Sequence, residues 1–422
     1  MNSLAVGPNM LTICGRGREW FIRGTVRRFV VQSSAASKKI DWDSFRKKKV
    51  KKLTQLMKKE GLDALYLNRI ENVRYTTDLR PVVSMWFQNS YSSVLTASGD
   101  VVLLTVAGDY MHSKHYMPWI KDMRIMHGLG RAEEVAAVFR DYKVWRIGYD
   151  QLGYEDRLSL EAASKGVELV NVGGKVADAR AVKLEEEVSL MREASKVTEA
   201  SIRAALAFAK PGVREYEIAA EGEYAARKMG AEGMSWGLAT FSGLNTGLML
   251  RHDSDKIVRS GELLILGYAT IFKGYNTDIT TTTVIGKPSN GQRDIYSATY
   301  DSFRAALKAT KPGATTLEIH EAAEKVIVER GFGAYSFSRI QPILHGVGMN
   351  VYEPPFSPEP GMKVPSVKLK PGHILAIEPA ITLYDNLKVG GCRIGETLLV
   401  TETGYKLLTD GKPETHEALY QN

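Results

Sequence analysis

The chain of 422 residues carries two cysteines, Cys14 and Cys392. Two thiols cannot build a disulfide framework, so a reducing, cytoplasmic setting is expected. Long apolar runs are also missing. None approaches the ~20 residues a membrane-spanning helix needs, and no membrane partner is expected. Basic excess is missing from most of the chain as well. The net charge is +8, but the first fifty residues hold eleven Lys/Arg against three Asp/Glu, so the remainder is neutral. A neutral body argues against nucleic acid as a partner. The densest basic run, residues 46–52, reads as the solvated start of a surface helix.

Acidic residues are nearly absent from residues 1–37, which hold five arginines and Glu19. That pattern is shared by organelle transit peptides and by disordered leaders, so residues 1–41 are set aside as a basic leader. Arginines interrupt its apolar stretch, which makes it a poor secretory signal. The whole chain is 44% hydrophobic and 25% charged, a globular composition. The length predicts two domains.

Residues 42–60 read as a charged amphipathic helix. Short strands follow at 64–67, 92–95 and 101–105, then a helix over 132–141, a strand at 144–149, a helix over 154–165 and a strand at 167–170. Residues 73–75 also look strand-like. Alternating strands and helices predict a small α/β domain over 42–172, closed by a flexible break at Val172-Gly173-Gly174. Beyond it, 184–209 reads as a long helix with Glu185, Glu186 and Glu187 in its first turn.

An internal repeat occupies the rest. Lys210-Pro211-Gly212 and a following helix over 214–230 recur as Lys311-Pro312-Gly313 and a helix over 315–331, an offset of 101 residues. Duplicated units of this size pack about a pseudo-two-fold axis, so a site between them draws on distant segments.

Four segments carry chemistry. In GELLILGYATIFKGYNTDITTTTVIG (261–286), two strands joined at Lys273-Gly274, Asp278 sits among β-branched residues where a carboxylate needs a partner or a metal. In LHGVGMNVYEPP (344–355), His345 precedes a Gly-Val-Gly that permits close approach. In GHILAIEPA (372–380), Glu378 ends an apolar strand, where burial costs several kcal/mol unless compensated. In GCRIGETLLV (391–400), Glu396 opens a strand, and Cys392 reads as a small strand residue. Taken singly, Asp278 and His345 are as well explained as an outward carboxylate and a satisfied core histidine.

Together these segments resemble the pita-bread metallopeptidases: methionine aminopeptidases, prolidases, aminopeptidase P and creatinase. Residues 173–422 resemble their catalytic domain, and 42–172 resembles the N-terminal domain of the prolidase–creatinase branch. The resemblance implies an α/β pita-bread fold, a homodimer and a metal site of two aspartates, the HGxG histidine, the IEP glutamate and a late glutamate. Asp278, His345 and Glu378 match. The other aspartate falls on Gly267 and the late glutamate on Gly395, with Glu396 one residue on. The implied cofactor is therefore one divalent metal ion (Mn, Fe, Co or Zn), or none, held by Asp278, His345, Glu378 and Glu396. A one-residue shift turns a strand side chain to the other face, so Glu396 joins the set only through a bulge.

Creatinase, which works without metal, is a precedent. Ser242-Gly243-Leu244-Asn245-Thr246 resembles its SGxNT word, after which a catalytic histidine falls. His252 lies about two positions from that place, and Thr280 stands where creatinase has a catalytic glutamate. Proline-specific members have a histidine at the position of Tyr352, whose phenol can donate to a developing oxyanion. The leading expectation is hydrolysis of a C–N bond in a small amino-acid-like, non-peptide molecule. Glu378, His345, His252 and Tyr352 would be catalytic. Arg393 would pair with a substrate carboxylate or form a structural ion pair. Trp86 and Phe87 would line the pocket across a dimer interface or pack in the N-terminal core. Alternatives are an Xaa-Pro dipeptidase or aminopeptidase, a lyase like those acting on dimethylsulfoniopropionate, and a non-catalytic binding module.

Overall fold

The structure, a computed structural model, describes residues 12–16, 19–23, 40–80, 91–127, 131–248, 252–358 and 365–409. Residues 1–39 form a unit apart from 40–422. Within residues 1–39, Thr12–Arg16 and Glu19–Arg23 pair antiparallel.

The helix Trp42–Glu60 forms where the amphipathic pattern predicts it. Asp41 caps it by accepting from the backbone N–H of Asp43 and Ser44, and Gly61 ends it at φ 65°. Phe45, Leu53 and Met57 form its buried face. A six-stranded mixed sheet follows, in the order Asp122–Met126, Val101–Val106, Ser92–Thr96, Ala64–Leu67, Arg146–Tyr149, Glu168–Asn171.

Two expectations are corrected here, and Asp150 bears on both, through its carboxylate in one case and its backbone carbonyl in the other. Residues 73–75 lie inside the helix Ile70–Thr77. Asp150 accepts from the backbone N–H of Asn68 and Arg69 and from the Asn72 side chain, fixing the start of that helix. Thr77 then returns its hydroxyl to the Val73 carbonyl. The supposed break at Gly173-Gly174 is the first turn of the helix Gly173–Ala181. A Cβ on Gly173 would lie 2.3 Å from the Asp150 carbonyl oxygen, so close approach requires the glycine there.

The two repeats are built alike. In the first, the helix Glu185–Phe208 leads through Gly212 (φ 94°) to the helix Glu215–Lys228. In the second, Asn290–Ala309 leads through Gly313 (φ 82°) to Thr316–Glu329. Each second helix starts with a glutamate reaching back three residues to a backbone N–H, Glu217 to Arg214 and Glu318 to Thr315. Ser201 donates to the Gly222 carbonyl as Ser302 does to that of Ala323, at the same offset.

Each repeat then contributes a sheet. The first contains Gly233–Ser242, Glu262–Phe272, Tyr275–Asn276 and Ile279–Ile285. The second runs Glu353–Phe356, Leu344–Gly346, Ile374–Ile377, Glu396–Val400, Tyr405–Leu407. They meet at a two-way backbone bridge between Thr280 and Gly395, with N···O distances of 3.0 and 2.8 Å. Among the described residues, no helix is long and apolar enough to cross a membrane.

Candidate active site

The seam between the two sheets gathers three buried side chains. Asp278 sits just before the strand Ile279–Ile285, His345 in Leu344–Gly346, and Glu378 just after Ile374–Ile377. None is more than 2% exposed. One donor atom from each lies within 4.8 Å of the others. His345 Nε2 is 3.6 Å from Asp278 Oδ2 and 3.8 Å from Glu378 Oε2. The partner of Asp278 is Thr397. The Asp278 N–H donates to its hydroxyl oxygen at 2.9 Å, and that hydroxyl donates to the Asp278 carbonyl at 2.7 Å.

Nδ1 of His345 lies 3.1 Å from the Gly346 carbonyl. As a donor there, it leaves Nε2 as the ring's lone-pair atom, turned toward both carboxylates. Burial, and next the charge of Glu378, hold the Asp278 carboxyl well above the usual carboxylate range, with Arg393 opposing. Burial would raise Glu378 as well. The charge of Arg393 leads the opposing effects, the Thr280 hydroxyl adds to it, and Glu378 is held below the usual carboxylate range. Between the two, negative charge is favoured on Glu378, because Arg393 lies against it and Asp278 is left to burial.

This donor set fits one divalent ion. Asp278 Oδ2 is buried yet accepts no hydrogen bond, and a ring nitrogen and a charged carboxylate face the same point. It does not fit two. A Cβ on Gly267 would lie 3.2 Å from Thr280 Oγ1, the hydroxyl that donates to Glu378 Oε1 at 2.8 Å. A Cβ on Gly395 would lie 2.5 Å from Glu378 Cγ. Both glycines therefore face the glutamate's side of the cluster and bring no donor to it.

Other sequence candidates fall elsewhere. Glu396 is the register partner of Ile377, so it points to the face opposite Gly395 and stands outside the three-residue group. The register is continuous through that pairing, and no bulge re-aims the side chain. His252 is exposed and lies beside Gly237. The buried Glu215 accepts from Ser242, Asn245 and Ser254, and His252 is not in the three-residue group. Tyr352 packs beside the cluster: its ring centroid is 4.6 Å from that of His345 and 4.8 Å from that of Phe356. Arg393 pairs its Nη2 with Glu378 Oε2. Trp86 and Phe87 lie outside the described residues. Cys392 is fully buried, and burial pushes its thiol up to about 12, so it is no nucleophile at neutral pH. Sequence reasoning missed Thr280 as the donor to Glu378 and Thr397 as the clamp on Asp278. The threonine-rich run after Asp278 was the available signal.

Residues 189–402 match the model of metallopeptidase family M24, and residues 49–182 match the Creatinase/Prolidase N-terminal domain. The chain is 30% identical over 370 residues to "Uncharacterized peptidase YqhT" of Bacillus subtilis, covering 87% of this chain and 99% of that protein. It is 28% identical over 371 residues to an Xaa-Pro dipeptidase of Pyrococcus furiosus, again covering 87% and 99%. The solved prolidase of Pyrococcus horikoshii superposes with a TM-score of 0.75 at 27% identity, covering 86% of this chain and 99% of the other. These relatives are named as peptidases. They favour the peptidase alternative over the expected non-peptide substrate, and they give a lyase no support.

Proposed function

From the premise that this chain belongs to metallopeptidase family M24, we propose that it hydrolyses dipeptides of the Xaa-Pro type with one divalent metal ion. The carrying observation is the convergence of Asp278, His345 and Glu378 on one point, with glycine at both positions a second ion would need. When bound, the ion would supply Lewis-acid polarisation of the scissile carbonyl.

The chain's own residues do the rest. The Gly346 carbonyl orients His345 so that Nε2 is a ligand. A carboxylate held below the usual range by Arg393 is a weak proton acceptor at neutral pH, so Glu378 is assigned as ligand rather than base. Asp278 would hold the ion as a carboxylate, so any proton on it would be lost on binding. The Tyr352 phenol, beside His345, donates to charge developing on the substrate. Assembly as a homodimer belongs to the same proposal and rests on the family resemblance.

Purified protein loaded separately with Mn, Co or Zn should cleave Ala-Pro or Leu-Pro, and Asp278→Asn should abolish that cleavage. Loss of two ligand carboxylates favours one second reading, a guanidino acid as substrate. Cleavage of creatine with no cleavage of any dipeptide would replace the proposal with that reading. Inertness toward both would favour a binding module.

A further inference from the structure

Arg393 ends the strand Gly391–Arg393, two residues before Gly395. Its backbone is held from both directions by Thr282: the Arg393 N–H donates to Thr282 Oγ1 at 3.0 Å, and that hydroxyl donates to the Arg393 carbonyl at 2.7 Å. The side chain is 17% exposed, and Phe337 presents its ring 5.8 Å from the guanidinium carbon. Nη2 takes Glu378 Oε2. The buried Nε has no hydrogen-bond partner. This guanidinium is thus fixed on the glutamate's side of the cluster, the side that Gly267 and Gly395 also face.

We infer that Arg393 takes the electrostatic place of a second metal ion, keeping Glu378 charged and aimed while setting the capacity of the site at one ion. This deepens the single-ion reading above and rests on it. The charges of the group decide the matter. Asp278 and Glu378 bring two negative charges when both are ionised. Arg393 and one divalent ion leave the group one positive. A second ion would leave it three positive in a buried setting, with no further carboxylate among these residues to offset it. Arginine suits the role because it stays charged at every accessible pH.

Gly395 belongs to the same arrangement. Any side chain there would push Glu378 off the position in which it meets both Thr280 and Arg393. The two glycines and the arginine therefore act as one unit, in which carboxylates are absent where a resident cation makes them unnecessary.

The test compares metal-free wild type, Arg393→Met and Arg393→Lys by calorimetric titration with Mn²⁺ alone and by thermal melting. Arg393→Met should bind Mn²⁺ at least about tenfold more tightly, because a like charge is gone and Glu378 is released to the ion. Its metal-free form should melt below wild type, and Mn²⁺ should close that gap. Arg393→Lys should keep the wild-type affinity. Arg393→Gln serves as the neutral variant if the methionine protein does not fold. Unchanged or weaker Mn²⁺ binding in a folded neutral variant would overturn the inference, as would a lysine variant that behaves like the neutral one. Hydrolysis is not read, so failure of the peptidase proposal would leave this result standing. If wild type takes no ion, the single-ion reading fails, and metal-free melting of the neutral and lysine variants still decides the role of Arg393.

Discussion

Gly395 and Glu378 leave no room for a methyl group between them. A Cβ on the glycine would meet Glu378 Cγ at 2.5 Å and Oε1 at 2.6 Å. Gly395 cannot retreat easily, because its N–H and carbonyl both bridge to Thr280. Gly395→Ala should therefore cost about 1–3 kcal/mol through overpacking and lower kcat at least about tenfold by displacing Glu378. Denaturant unfolding and steady-state kinetics check both. Wild-type kinetics in a folded Gly395→Ala protein would mean that Glu378 has freedom this packing denies it.

Asp278→Asn and Glu378→Gln should separate. Burial pushes the Asp278 carboxyl well above the usual carboxylate range, so replacing it with a neutral amide of nearly the same shape should leave stability unchanged or raise it. Glu378→Gln strips Arg393 of its partner and should cost about 3 kcal/mol. Both should lose metal affinity. Chemical denaturation of the metal-free proteins reads the contrast, and equal stability of the two variants would contradict the assignment of charge to Glu378.

His373 gives a pH signature. Burial, then the charges of Lys183, Lys370 and Lys52, push it down to about 4. Its Nδ1 accepts from the Lys370 N–H, which requires that nitrogen to be unprotonated. Between pH 6.5 and 4 the unfolded chain binds a proton that the folded one refuses. Stability from this group is therefore full above 6.5 and falls with pH, by about 3 kcal/mol at pH 4. Unfolding curves at pH 7, 5.5 and 4.5 should show a shallower fall in His373→Asn than in wild type, and parallel falls would remove the effect.

Tyr352→Phe keeps the ring against His345 and Phe356 and removes the hydroxyl. Melting should be nearly unchanged, while kcat should fall by about 10²-fold if the phenol donates to developing charge. Kinetics with an Xaa-Pro dipeptide decide this, and an unchanged kcat would leave Tyr352 as a packing residue.

Much of the fold was legible because its elements follow local pattern. The helix Trp42–Glu60 and the strand Ala64–Leu67 fall where periodicity places them. The two misread segments, around Val73 and Gly173, both depend on Asp150, a residue about 77 and 23 positions away that no local pattern reveals. At the site, Glu378 stood out because a carboxylate ending an apolar strand needs compensation, whereas Asp278 and His345 stood out only through the family resemblance. Glu396 misled because its sequence neighbourhood is right and its strand face is wrong. The pairing of Arg393 with Glu378 spans fifteen residues and two sheets, and only the folded chain displays it.

The central claim is that one metal ion, and not two, works in this site. Elemental analysis after saturation with Mn, Co or Zn and removal of loosely held metal tests it most directly. The arrangement of Asp278, His345, Glu378 and Arg393 predicts one ion per chain, lost in Asp278→Asn, whereas two tightly held ions per chain would contradict it.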